Sequence, residues 1–172
     1  MRKTTLASLL VFILVLSTIG GCKSSHNDSA PAQPTTAIIE IMSQGTATRI
    51  GGIEVTVVLP SGVTVKATPD VANPTVLVTD AGVVTASGVA AGVNTMTIGT
   101  YSAASSGSPG KVMVEVANPD GFGTGEFVTI ACDIAAGSFP AAGDFSLTDF
   151  LATNLSGTLI SGVTAGFTAD IH

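Results

Sequence analysis

The sequence predicts an all-β protein, a β-sandwich of about nine or ten short strands that follows a signal peptide and a flexible tether. Val, Ile and Thr dominate the segments after residue 36, and these residues favour pleated, half-buried surfaces. Apolar and polar residues alternate within the segments, most clearly in Ile53–Val57 and Val112–Val116. Gly, Pro, Asn and Asp separate one segment from the next, and no stretch after residue 30 has a long helical period. A sandwich fits this pattern, and a closed barrel would produce a similar one.

Ten segments in chain order are predicted to form strands, each bounded by turn-forming residues. They are Ala37–Met42, Gly52–Leu59, Thr64–Ala67, Thr75–Thr79, Val83–Ala86, Thr95–Tyr101, Lys111–Ala117, Phe127–Ala135, Thr158–Ile160 and Thr164–Ile171. The best candidate for a helix is Leu147–Asn154, which would form one or two turns at most. Ser146 could cap its N-terminus, and Asp149 in the first turn would favour the helix dipole.

The first 21 residues have the organisation of an export signal. Basic residues open the chain, an apolar run extends from Leu6 to Ile19, and two glycines follow. The run is short for a membrane span. Residues Ile19–Cys22 resemble the lipobox of bacterial lipoproteins, which implies cleavage before Cys22 and lipid attachment to that residue. An ordinary secretory site would require a small residue in place of Ile19. Lys23 follows the anchor where an inner-membrane retention signal would have Asp, so the expected location is the outer membrane of the bacterial envelope.

Three regions follow from this interpretation: a signal peptide at 1–21, a lipidated cysteine and tether at 22–36, and a sandwich at 37–172. The tether is rich in Ser, Pro and Asn and lacks apolar residues, which is typical of a flexible segment. His26 and Asp28 within it are too few to form a metal site. The whole chain has a formal net charge of −6, and removal of residues 1–21 changes it to −8. This acidic balance argues against a nucleic-acid partner and against a basic membrane-binding patch.

Cys132 is the only cysteine besides Cys22, so acylation of Cys22 would leave no intramolecular disulfide. Alternation places Cys132 on the apolar face of its strand, as a small buried hydrophobic residue. A catalytic thiol would require a neighbouring base, and neither His26 nor His172 is well placed to supply one.

Acidic residues offer two further candidates. The loop Asn118–Glu126 could hold Ca²⁺ through Asp120, Glu126 and backbone carbonyls, although its Pro-Asp-Gly sequence favours an ordinary hairpin loop. Asp133, Asp144 and Asp149 are close in sequence, and paired carboxylates hydrolyse glycosidic bonds at a suitable separation. A solvated surface explains these three residues better, because Asp133 is predicted on the solvent face of its strand.

Aromatic residues that could stack on sugars are scarce. The chain has one tyrosine, Tyr101, and no tryptophan. Phe122 and Phe139 are predicted in loops and could contribute to such a surface. A core position for the phenylalanines and a strand-end position for Tyr101 explain these residues better, so the shortage of aromatics argues against a carbohydrate-binding role.

Three stretches together resemble a cohesin domain, a jelly-roll sandwich of the carbohydrate-binding-module superfamily. They are Ile50–Val65, where a strand leads through Pro-Ser into a second strand, Gly125–Ile134, a Gly-led alternating strand, and Phe145–Ile171, a closing segment. The resemblance implies a non-catalytic recognition or scaffolding module that binds a protein partner. The alternative that it implies is a module that binds a polysaccharide. No individual ligand-binding residue, resident metal or other cofactor follows from it.

Overall fold

The structure is a computed structural model that describes residues 32–47, 49–67, 75–79 and 82–172. Two antiparallel five-stranded sheets form a β-sandwich, which confirms the predicted fold class. The described residues contain no α-helix; Gly88–Ala90 and Ala142–Asp144 form single turns of 3₁₀-helix. Among these residues, none belongs to a helix with the length and apolar character of a membrane span.

The described residues form ten strands of three to thirteen residues each. They are β1 (Thr36–Gly45), β2 (Ile50–Leu59), β3 (Val63–Val65), β4 (Thr75–Leu77), β5 (Val84–Ala86), β6 (Met96–Ser102), β7 (Gly110–Phe122), β8 (Gly125–Ile134), β9 (Ser146–Thr153) and β10 (Val163–Ile171).

Successive strands lie in different sheets except for β6 and β7, which pair with each other, and the order within each sheet differs from the sequence order. The first sheet has the order β10-β1-β8-β3, and β5 also pairs with β8, beside β3 on the same edge. The second sheet has the order β4-β6-β7-β2-β9. Both sheets are therefore built largely from strands that are distant in the chain.

The core lies between the two sheets and follows from the period-2 alternation of the strands. The largest fully buried side chains come from both sheets; they include Phe127, Ile39, Ile41, Ile130, Val55, Val57, Val112 and Val114. Apolar burial of this kind contributes about 25 cal/mol per Å² and is the main force that holds a sandwich without disulfides together.

The ordered domain includes part of the segment interpreted as a tether. The backbone N–H and C=O of Thr36 both pair with His172, and the Gln33 side chain bonds to Gly137 and Ser138. These hydrogen bonds use backbone groups and a side-chain amide, and they require no apolar side chain. The polar composition of the segment therefore did not predict that Gln33 and Thr36 belong to the domain.

The predicted helix at Leu147–Asn154 is wrong, because this segment forms strand β9 paired with β2. The possible cap at Ser146 and the acidic residue Asp149 favour a helix locally, but hydrogen bonding to β2 along most of the segment outweighs that preference. Asp149 has φ 54° where the register shifts, so it forms a bulge rather than a first helical turn. Asp tolerates this left-handed conformation better than most residues.

Two further predictions also need correction. Thr158–Ile160 is not a strand; the structure has a single bridge there, between Leu159 and Thr153. The segment Asn118–Glu126 is not a hairpin loop, because β7 continues to Phe122 in the second sheet and β8 begins at Gly125 in the first. Its turn residues instead form a bulge in β7 and a crossing between the sheets.

Candidate binding face

The solvent face of the second sheet carries an organised surface. The strand registers place Met96, Ala117, Gly52 and Thr153 side by side in one row across β6, β7, β2 and β9. The next row contains Ile98, Glu115, Glu54 and Leu151. Because side chains alternate between the two faces of a sheet, all of these residues face away from the core.

A shallow groove runs along these two rows, and we call it the outer groove. It consists of two adjoining depressions of about 420 and 210 Å³. The larger is lined by Gly51, Gly52, Met96, Ala117, Asn118, Pro119, Thr153, Asn154, Leu155 and Gly157. The smaller is lined by Gly52, Ile53, Glu54, Glu115, Val116, Ala117, Leu151 and Thr153.

Small residues form the floor of the outer groove and larger apolar residues form its walls. Gly52 and Ala117 face each other at the centre and leave the sheet backbone uncovered by long side chains. Met96 is 66% exposed, Leu151 46% and Leu155 47%. Single exposed apolar residues are ordinary on protein surfaces, but a group of them around one depression is typical of an interaction site.

The outer groove is acidic at one end. Glu54 and Glu115 are directly opposite each other on β2 and β7. Among the described residues, no ion pair reaches either carboxylate. Like charges placed opposite each other weaken a sheet, so this pair costs stability unless a cation approaches it.

The loop after β9 builds one wall of the groove. The Asn154 side chain accepts hydrogen bonds from the backbone N–H groups of Ser156 (2.9 Å) and Thr158 (3.0 Å), which fold the loop back and bring Leu155 to the groove. Gly51 allows this close approach, since a Cβ there would lie 2.6 Å from the carbonyl oxygen of Asn154.

Asp120, one of the two candidate calcium residues, has other partners. The side-chain carboxylate of Asp120 accepts a hydrogen bond from the Asn94 side chain (2.6 Å). The backbone carbonyl oxygen of Asp120 accepts another from the Arg49 side chain (2.9 Å). The backbone N–H of Asp120 donates to the side chain of Asn118 (2.8 Å). Glu126 belongs to strand β8 of the other sheet. Within the described ranges, no three His, Cys, Asp or Glu side chains lie close enough to hold a metal ion. The three hydrogen bonds of Asp120 instead hold the segment that crosses between the sheets.

Cys132 lies on the apolar face of β8, as alternation predicts, and is only 2% exposed. Burial, with a smaller contribution from the charge of Asp133, raises the pKa of its thiol to about 12. Both effects disfavour the thiolate that a nucleophile requires. His172 pairs with Asp170 (3.2 Å) at the exposed end of β10, and His26 lies outside the described residues.

The three clustered aspartates do not form a carboxylate pair across a cleft. Asp133 is exposed on β8 of the first sheet, as predicted, while Asp149 is exposed in the bulge of β9 in the second. The Asp144 carboxylate accepts a hydrogen bond from the backbone N–H of Ala141 (2.8 Å) and so closes a short turn.

The aromatic residues mostly belong to the core. Tyr101 is 3% exposed, and burial, followed by the nearby Cys132, raises its pKa. Phe122 is buried at the end of β7, whereas Phe139 is exposed. The surface of the described residues therefore offers few flat aromatic platforms for a sugar ring.

The outer groove is the feature that the sequence did not indicate. Alternation puts Glu54 and Glu115 on the solvent faces of their strands, but only the pairing of β2 with β7 brings them together. Cys22 lies outside the described residues, so its lipidation stays a prediction. No protein-family model, no curated protein and no solved structure matches this chain.

Proposed function

We propose that this protein is a lipid-anchored recognition or scaffolding module of the bacterial cell envelope that binds a protein partner without catalysis. The observation that carries the proposal is the outer groove, which combines exposed Met96, Leu151 and Leu155 with the facing carboxylates of Glu54 and Glu115. Protein interfaces combine an apolar centre with a polar rim in this way.

The lipobox-like sequence ending at Cys22 supports the anchor, and the cohesin-like order of segments supports a recognition role. An anchor at the N-terminus would hold the sandwich at the membrane surface and leave its sheet faces accessible to a partner. Cys132 does not favour thiol-based catalysis, because its buried and protonated thiol is a poor nucleophile.

A partner segment suited to the outer groove would carry a Lys or Arg side chain flanked by apolar residues. Its cation would relieve the repulsion between Glu54 and Glu115, and its apolar residues would cover Leu151 and Met96. Polysaccharide binding is less well supported, since Tyr101 is buried and Phe139 lies outside the groove.

Site-specific photocrosslinking tests this proposal. A photoreactive residue at Leu151 should capture a discrete envelope protein in the producing cells. The same residue at Ile38, an exposed apolar position on the first sheet, should not capture it. Leu151→Asp should abolish binding to the captured protein after purification, and Ile38→Asp should preserve it.

Equal capture from the two positions, or binding that survives Leu151→Asp, would remove the outer groove as the site. Calorimetry that showed tight binding of a purified envelope glycan, lost in Leu151→Asp, would replace the protein partner with a polysaccharide.

A further inference from the structure

The two sheets have four edges, and three of them are protected against pairing with another chain. Strands β3, β4 and β5 have three residues each. Strand β9 is interrupted by the bulge at Asp149, and the loop after it returns to donate a hydrogen bond from Ile160 to the Ala152 carbonyl (2.8 Å). Short length, bulges and covering loops are the usual ways in which proteins protect exposed edges.

The fourth edge, β10, is neither short nor bulged, and its neighbours besides β1 are β9 and the 3₁₀ turn Ala142–Asp144. Its nine residues pair with β1 from Val163 to Ile171 without a register shift, and its sequence contains no Pro and no Lys. Within the part of the chain that the structure describes, its backbone has hydrogen-bond partners only on the β1 side. A long, regular edge whose backbone groups have no hydrogen-bond partner on one side is a template for an added strand.

The hydrogen bonds at the end of β10 show which backbone groups point outward. Thr36 and His172 exchange both of their hydrogen bonds, so they form a hydrogen-bonded pair. Because such pairs alternate along an antiparallel ladder, the even-numbered residues of β10 bond to β1. The odd-numbered residues direct their N–H and C=O groups to the open edge; they are Val163, Ala165, Phe167, Ala169 and Ile171.

The side chains of these odd-numbered residues are also incompletely covered. They face the seam between the two sheets, where Val163, Phe167 and Ile171 pack against the core but are only partly buried. An added strand would therefore gain both backbone hydrogen bonds and apolar contacts along this seam.

We infer that β10 pairs with β10 of a second copy of this chain, antiparallel and centred on Phe167. In this register Val163 faces Ile171, Ala165 faces Ala169 and the two copies of Phe167 face each other. Each of these facing pairs can exchange two backbone hydrogen bonds. The result is a continuous sheet across the two copies.

The two-fold register makes β10 compatible with a second copy of itself as the occupant, because it brings no two like charges together. Asp170 is the only charged residue of β10, and the two-fold register places it opposite Thr164 rather than opposite its own copy. Thr168 faces Gly166. The strand therefore meets no like charge when it pairs with itself, despite the formal net charge of −6 of the whole chain. This inference does not depend on the outer groove, which lies on the other sheet.

Disulfide trapping tests the register. Thr164 and Asp170 of the two copies form non-hydrogen-bonded pairs, whose Cα atoms lie about 4.5 Å apart, within the range of a disulfide. Thr164→Cys and Asp170→Cys are prepared separately in the full chain, held in mild detergent. Cys22→Ser is added so that no molecule that escapes acylation carries a free thiol there.

A mixture of the two variants should form covalent dimers under mild oxidation, and each variant alone should remain largely monomeric. A mixture that forms no more dimer than the separate variants would overturn the register.

Charge substitution at Thr164, which is exposed, tests the pairing without disturbing the core. Thr164→Asp places a carboxylate opposite Asp170 at two symmetric positions, and Thr164→Lys places an ammonium group there. Sedimentation equilibrium of the full chain should show dimer dissociation constants about fivefold weaker and about fivefold tighter, respectively.

Thr85→Asp and Thr85→Lys serve as matched controls on the short edge strand β5, where Thr85 is also exposed, and both should leave the dimer unchanged. A full chain that stays monomeric at high micromolar concentration would overturn the inference. Equal effects of the Thr164 and Thr85 substitutions would also overturn it.

Discussion

The buried thiol of Cys132 makes the stability of this protein fall in alkaline solution. The folded state holds the thiol protonated with a pKa of about 12, because the side chain is buried. In the unfolded chain the same thiol ionises near its ordinary pKa of about 8.5. Above that pH, unfolding releases a proton that the folded state retains. The contribution to stability is therefore complete below about pH 8.5 and is lost as the pH rises toward 12.

The magnitude follows from the separation of the two pKa values. Each pH unit above the unfolded value lowers the free energy of unfolding by about 1.4 kcal/mol for one proton. At pH 10 the Cys132 contribution should have fallen by about 2 kcal/mol relative to pH 7. Tyr101 adds a loss in the same direction at higher pH, since burial raises its pKa as well.

Urea unfolding of the natural chain and of Cys132→Ala, measured from pH 7 to pH 10, isolates this effect. The alanine variant should be less stable at pH 7 because it leaves a small cavity. The difference between the two proteins should shrink by about 2 kcal/mol by pH 10. The contribution of Tyr101 largely cancels, because both proteins retain it. Stability curves that remain parallel over this range would refute the assignment of a buried, protonated thiol.

Three further predictions follow from the sequence and the packing. Mass spectrometry of the protein extracted from membranes should find an acylated N-terminus at Cys22, and a soluble product that begins elsewhere would contradict the lipobox interpretation. Phe127→Ala should lower the free energy of unfolding by about 3–5 kcal/mol in urea titrations, because Phe127 is fully buried between the sheets; a loss below about 1 kcal/mol would contradict its core position. Asp149→Val should destabilise the fold by about 1–2 kcal/mol in the same assay, because Asp149 has φ 54°, whereas Asp149→Gly should be neutral or stabilising. Equal stability of the two Asp149 variants would remove the strain argument.

Sequence reasoning was accurate where the local pattern and the tertiary structure impose the same requirement. The alternation in Ile53–Val57 and Val112–Val116 predicted two central strands, because one face of each must be apolar to reach the core. The same argument placed Cys132 in the interior and Asp133 in solvent. It failed for Leu147–Asn154, where local helix signals compete with pairing to a strand far away in the chain.

The candidate site depended on information that a single sequence does not contain. Gly52 and Ala117 are distant in the chain, and they meet only because β2 pairs with β7 in one particular register. A shift of that register by one residue would turn one of the two toward the core and abolish the outer groove. Tyr101 belongs to a residue type that can stack on sugars, but its position on β6 directs it into the core.

The sequence by itself determined the fold class, the predicted export signal and the two faces of each well-patterned strand. These depend on composition and on a period of two residues, which act over short distances along the chain. The tertiary structure decided which strands became neighbours, and with that the outer groove, the crossing at Asp120 and the open edge of β10. Those features depend on contacts between segments far apart in sequence, whose pairing is set by the packing of the whole core.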